Sequence, residues 1–188
     1  LTALVIAIMI QTAERVGNED SAKEGHVGVT GFLKKHVTVI GNKVLLEYQG
    51  KSGVEHEKSF SNEKIAKAVK KAIKNSPSKY LFETSDGFRI KVDRVNRYLS
   101  DFNISAKAIR GYCANKWIIE KLQTLPIQET EKKRKKDFNA VVKKVAHRVG
   151  HGPATLRKHY MIPELPVEYI SRGKIINIKN INKLREGA

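Results

Sequence analysis

In residues 1–14, apolar side chains fall on nearly every face of a 3.6-residue repeat. A helix that is apolar all round is buried all round, so the pattern predicts a central helix with Gly17 as its left-handed cap. A loop with three glycines follows at 25–31, and then three β-type runs at 36–40, 43–48 and 54–60. Gly41-Asn42 predicts a tight hairpin between the first two runs, and residues 50–53 a turn between the second and third. Three strands alone are marginal, so this antiparallel meander is expected to pack on helices.

From Ser61 the apolar period lengthens to that of a helix. Ile65, Ala68, Val69 and Ile73 share one face, with lysines 64, 67, 70, 71 and 74 elsewhere. Residues 75–78 end that helix, and residues 80–82 form a short apolar patch before a turn at 85–87. Residues 92–102 predict a helix with Val92, Val95, Tyr98, Leu99 and Phe102 inward. Ser105 caps a longer one at 106–122, with Ala108, Tyr112, Ile119 and Leu122 as its inner face, widened by Trp117 and Ile118. Residues 131–148 form the most basic helix, whose apolar stripe is Phe138, Val141, Val142, Val145 and Val149. Gly150, His151, Gly152 and Pro153 break it, and Pro153 opens the next helix, which leads to Tyr160. Residues 167–188 read as a last helix and a loose end. Together these elements predict a mainly helical α+β domain with a small three-stranded antiparallel sheet.

Charge changes the picture more than size does. The 188 residues carry 36 Lys+Arg against 19 Asp+Glu, a formal net charge of +17. That excess points to a polyanion, nucleic acid before an acidic membrane surface. A solvated basic surface is the plainer alternative. The longest apolar run, residues 3–10, is too short for a membrane span of about 20 residues. One cysteine, Cys113, excludes an internal disulfide and suits a reducing, intracellular compartment. The chain starts at Leu1 inside an apolar stretch, so a preceding domain is expected.

The usual catalytic signatures are missing. His147 and His151 are four apart, but no Glu accompanies them in a zinc pattern and glycines flank His151. No phosphate-binding glycine loop and no two-metal acidic cluster is visible, so no metal and no cofactor is expected. Arg15, Lys51, Arg110, His151 and Tyr160 remain. All but His151 have a plain reading: a helix-end arginine facing solvent, a turn lysine, an arginine snorkelling from an apolar helix, a packed tyrosine ring. Together they suit phosphoryl transfer to tyrosine. Arginines hold non-bridging oxygens, a histidine donates to one, a lysine protonates the leaving oxygen and tyrosine attacks phosphorus.

Five blocks, four of them carrying these residues, occur in an order that resembles the catalytic domain of type IB DNA topoisomerases, in their compact viral and bacterial branch. They are Glu14-Arg15-Val16-Gly17-Asn18-Glu19; Gly28-Val29-Thr30-Gly31-Phe32-Leu33 with His36-Val37; Tyr48-Gln49-Gly50-Lys51-Ser52-Gly53-Val54-Glu55-His56; Lys107-Ala108-Ile109-Arg110-Gly111-Tyr112; and Val149-Gly150-His151-Gly152-Pro153 with Lys158-His159-Tyr160-Met161. Gly111 stands where the family usually has Thr, and Ala108 where a polar residue is common.

The resemblance implies a DNA breaking-rejoining domain at 1–163 and a C-terminal tail at 164–188, with the family's N-terminal domain outside this chain. It implies Tyr160 as nucleophile, Lys51 as general acid, and Arg15, Arg110 and His151 as phosphorane stabilisers. Lys107, Asn115 and Lys158 are implied as DNA-binding or supporting residues, Asn115 near the scissile phosphate. The expected partner is double-stranded DNA, with no membrane, and the protein is expected to be a monomer. The implied activity is ATP-independent relaxation of supercoils by an enzyme associated with DNA inside the cell or at a viral replication site. A tyrosine recombinase shares the chemistry, but its second arginine usually lies in His-x-x-Arg, and this chain has Lys107-x-x-Arg110. A binding domain with a degenerate site is the remaining alternative.

Overall fold

A computed structural model describes residues 1–17, 27–49 and 55–177. The chain forms an α+β fold, mainly helical with one three-stranded antiparallel sheet. It divides into two compact units, Leu1–Ile109 and Arg110–Ala188.

In the first unit, helix α1 spans Thr2–Thr12, and Val5, Ile8 and Met9 are wholly buried, but Ala3 and Ile10 are exposed, so the helix is buried on one side rather than all round as expected. Its left-handed cap is Ala13, at φ 54, rather than the expected Gly17. The Ala13 N–H donates to Met9 O, which closes the helix four residues early. Gly17 also has positive φ, at 125, but in the loop beyond, where Thr30 Oγ1 leaves no room for a side chain.

Strands β1 (Val37–Ile40), β2 (Lys43–Gln49) and β3 (Glu55–Ser61) pair in the order β1-β2-β3. Ile40 pairs with Lys43, so Gly41-Asn42 is the two-residue hairpin loop that the sequence predicts, with Gly41 at φ 57. His36 falls short of β1, in a one-turn helix at Lys34–His36, where its Nδ1 accepts from the Leu33 N–H. Along β2, Val44, Leu46 and Tyr48 point inward and are buried. The turn between β2 and β3 lies outside the described residues.

Helix α2 spans Glu63–Asn75 and is capped by Asn62, whose Oδ1 accepts from the Ile65 N–H. Its buried line is Ala66, Val69 and Ala72. Ile65, Ala68 and Ile73, expected at the centre, are half-buried. Alanines on the contact line let the backbone approach its neighbours closely, which leaves the isoleucines to flank it.

Helix α3 spans Val92–Ser100 and buries Val95 and Leu99. Tyr98 and Phe102, expected inward, are exposed and pack on each other with centroids 5.5 Å apart. Asn103 takes a left-handed φ of 53 and the Ile104 N–H returns to Leu99 O, so the helix stops before Phe102.

Helix α4, Ala106–Gln123, contains the division between the units. Ser105 Oγ accepts from the Ala108 N–H at its start. Its second-unit part buries Cys113, Ala114, Asn115, Trp117, Ile118, Ile119 and Leu122, a wider face than expected, while Tyr112 is half-buried.

The rest of the second unit is helical among the described residues. Helix α5, Glu131–Val149, packs on the expected stripe of Phe138, Val141, Val142, Val145 and Val149. One member of its basic face does otherwise. Arg134 donates to the carbonyls of Gln128, Glu129, Ile170 and Ser171, so it fastens the segment after the last helix to α5. Helix α6 spans Pro153–His159. A one-turn helix follows at Glu164–Pro166, then a short π-helix at Val167–Ser171, where the sequence predicts a last helix to begin, and Tyr169 packs against Phe138. Residues 178–188 lie outside the described residues.

Candidate active site

The break after α5 follows from its glycines. Gly150 is the left-handed cap of α5, at φ 75, and its N–H donates to carbonyls of the last turn. Gly152 is extended and caps α6, with Pro153 in the first helical position, where a missing N–H costs nothing. His151 is held between two helix ends, and its N–H donates to Ala146 O at 2.9 Å. Tyr160 closes α6, with its N–H on Leu156 O at 3.0 Å. Leu156 is wholly buried and anchors that turn.

Two sequence-predicted partners meet the tyrosine oxygen. His151 Nε2 lies 3.2 Å from Tyr160 Oη, with the rings stacked at 4.9 Å. Arg110 Nη1 donates to the same oxygen at 3.4 Å, and its guanidinium lies 5.5 Å from the ring centroid. Arg110 does not snorkel. It is only 6 % exposed, and its Nη2 donates to Val149 O at 2.8 Å. Part of the guanidinium therefore fixes the helix end that carries His151, and part faces Tyr160.

Asn115 is wholly buried, and its amide is turned to backbone. Nδ2 donates to Gly111 O and to Tyr160 O, both at 2.7 Å, and Oδ1 accepts from the Ile162 N–H at 2.9 Å. Asn115 thus grips the chain on both sides of Met161. A polar residue at a buried position of an apolar helix was the available signal, but its target could not be read from spacing.

Other contacts that sequence reasoning missed support the same region. Arg148 lies 3.7 Å over the Trp117 ring, a cation–π stack beside the helix end. Arg157 Nη2 donates to Asn139 Oδ1 at 2.7 Å, tying α6 to α5. Lys158 is exposed. Cys113 is a buried thiol, pushed up to about 11 by burial.

The first unit holds the remaining candidates. Arg15 is half-buried, and its carbonyl accepts from the Val29 N–H at 2.9 Å. Its neighbour Glu14 is buried and ion-paired with Lys58. Lys107 is exposed on the rim of a cleft of about 800 Å³ that also takes in Val16, Gly17, Val92 and Asn96. Lys51 lies outside the described residues. No group of His, Cys, Asp or Glu among the described residues has the makings of a metal site. No helix among them is long and apolar enough to cross a membrane.

A tyrosine oxygen flanked by a guanidinium and an imidazole has the donors that transfer of a phosphoryl group to tyrosine requires. The family model for the catalytic core of eukaryotic DNA topoisomerase I matches residues 1–172, and the chain belongs to that family. It is 27 % identical over 178 residues to a protein of Acanthamoeba polyphaga mimivirus named DNA topoisomerase 1B, covering 84 % of this chain and 52 % of the relative. It is 26 % identical over 159 residues to the vaccinia virus protein of the same name, covering 78 % of this chain and 46 % of the relative. The chain therefore spans about half the length of these relatives.

Proposed function

We propose that this chain supplies the catalytic core of an enzyme that relaxes supercoiled duplex DNA by cutting and rejoining one strand. The observation that carries this reading is the Tyr160 oxygen, with Arg110 Nη1 at 3.4 Å and His151 Nε2 at 3.2 Å. A phosphorus atom brought up to that oxygen would find both donors within reach of its non-bridging oxygens, where charge grows in the transition state.

Tyr160 attacks phosphorus and forms a bond to the 3′ side of the strand, and the 5′ oxygen leaves. Arg15, Arg110 and His151 stabilise the phosphorane, and Lys51 gives the leaving oxygen its proton; for Arg15 and Lys51 the support is their motifs. The strand swivels, and the 5′-hydroxyl reverses the reaction. The phosphotyrosine conserves the bond energy, so ATP is not consumed. Asn115 supports the reaction by holding the tyrosine's backbone. Lys107, Lys158 and the exposed lysines of α5 would meet phosphates, which suits the formal net charge of +17. The enzyme would act as a monomer on double-stranded DNA, in the cell or at a viral replication site.

Supercoiled plasmid incubated with the full-length protein in EDTA, without ATP, tests the proposal. Relaxation that disappears in Tyr160→Phe supports it. No relaxation by the unmutated protein, or equal relaxation by both, overturns it.

A further inference from the structure

Outside the tyrosine site, the described residues hold a second buried cluster of ionisable groups, next to Arg15. Glu14 is 7 % exposed and its carboxylate is ion-paired with Lys58 of β3. The same Lys58 Nζ donates to Thr12 O at 3.2 Å, at the C-terminal end of α1, where a positive charge also meets the helix dipole. Burial pushes the Glu14 carboxyl up, but Lys58 and then Tyr48 and His56 outweigh it and hold it below its ordinary range. His56 stacks on Tyr48 at 5.1 Å, nearly parallel. Tyr48 lies on β2 and Lys58 on β3, so adjacent strands both close on one carboxylate.

The other side of this segment is fixed by backbone. The Val29 N–H donates to Arg15 O and the Thr30 N–H to Val16 O, both at 2.9 Å, and Thr30 Oγ1 donates to Val16 O as well. Arg15 thus sits between a charged clamp on its N-terminal side and a backbone clamp on its C-terminal side. A buried ion pair does not need to stabilise a fold. Its directional contacts do fix the place of the chain that carries them.

We propose that Glu14 and Lys58 are positioning residues that set the placement of Arg15. They act through the segment 12–16. The proposal rests on the DNA-cleavage reading only for its second readout.

The test uses the full chain with Glu14→Gln and, because that variant leaves Lys58 without its partner carboxylate, the apolar pair Glu14→Leu/Lys58→Met. Replacing a buried pair by packed apolar side chains is often neutral for folding. The first readout is amide exchange at Val29 and Thr30. Protection there should fall about tenfold or more, while the amides of β2 keep theirs. Unchanged protection at Val29 and Thr30 in both variants overturns the proposal.

The second readout is the single-turnover rate of covalent adduct formation at saturating DNA. It should fall about tenfold with DNA affinity unchanged, and Glu14→Gln should cost nothing more in an Arg15→Ala background. Additive losses overturn the proposal. If the unmutated protein forms no adduct, the cleavage reading fails and the exchange result alone decides this one.

Discussion

Replacing Asn115 by alanine removes the bonds of one wholly buried amide to Gly111 O, Tyr160 O and the Ile162 N–H. Gly111 O keeps its helical partner, so two backbone groups lose theirs. At about 1–2 kcal/mol for each buried group left unpaired, the expected loss is about 2–4 kcal/mol. Urea unfolding followed by circular dichroism measures it. The damage falls on the residues flanking Met161, so Tyr160 shifts as well. A displacement of about 1 Å costs roughly a hundredfold in the cleavage step.

Asn115→Asp separates lost bonds from lost volume. It keeps the acceptor for the Ile162 N–H but places oxygen against two carbonyls at the distances Nδ2 now holds, 2.7 Å. It should lose at least as much stability as alanine at pH 7, and regain some as acid protonates the carboxyl. Stability of Asn115→Ala within about 0.5 kcal/mol of the unmutated protein would refute this reasoning, because only a group without an essential partner behaves so.

Glu14 should make the fold acid-sensitive in a defined window. Its folded value lies below the ordinary 4.5, so its contribution is complete above about pH 4.5 and is lost as the pH falls through the folded value. Glu14→Gln should lack that part of the acid-unfolding curve. His36 and His56 lie below the ordinary 6.5 because burial disfavours their charged forms, so stability should already decline as the pH drops below 6.5. Arg134→Met should cost about 2–3 kcal/mol through its lost carbonyl bonds, measured by urea unfolding, and leave DNA affinity nearly unchanged. Alanine at Lys132, Lys133, Lys135 or Lys136, all exposed, should instead leave stability alone. Each that meets a phosphate should lower the slope of log affinity against log salt by about one.

The sequence revealed elements whose period or punctuation is strong. The valine stripe of α5, the position of α1, the Gly41-Asn42 hairpin and the break at 150–153 appear where their patterns put them, although α1 is not buried all round, since Ile10 is exposed. Errors arose where a pattern sets an element but not its rotation or end. The small alanines of α2 turned its contact line away from the isoleucines, and a left-handed Asn103 stopped α3 before Phe102. Site residue types could be nominated from spacing and block order, and Arg110, His151 and Tyr160 meet in the second unit. The hydrogen bonds of Asn115, the carbonyl clip of Arg134 and the Glu14–Lys58 pair depend on long-range placement. No local period encodes them. Lys58 left a trace in sharing one face of β3 with His56 and Phe60, an inward position for a lysine.

The most direct measurement is the chemistry of the adduct itself. Duplex DNA mixed with the full-length protein is quenched in denaturant, the protein is digested, and the DNA-linked peptide is sequenced by mass spectrometry. The expected result is a phosphodiester between Tyr160 and a 3′ end, with a 5′-hydroxyl on the released strand. Attachment at another residue, attachment to a 5′ end, or no attachment at all would contradict the assignment of Tyr160 as the nucleophile.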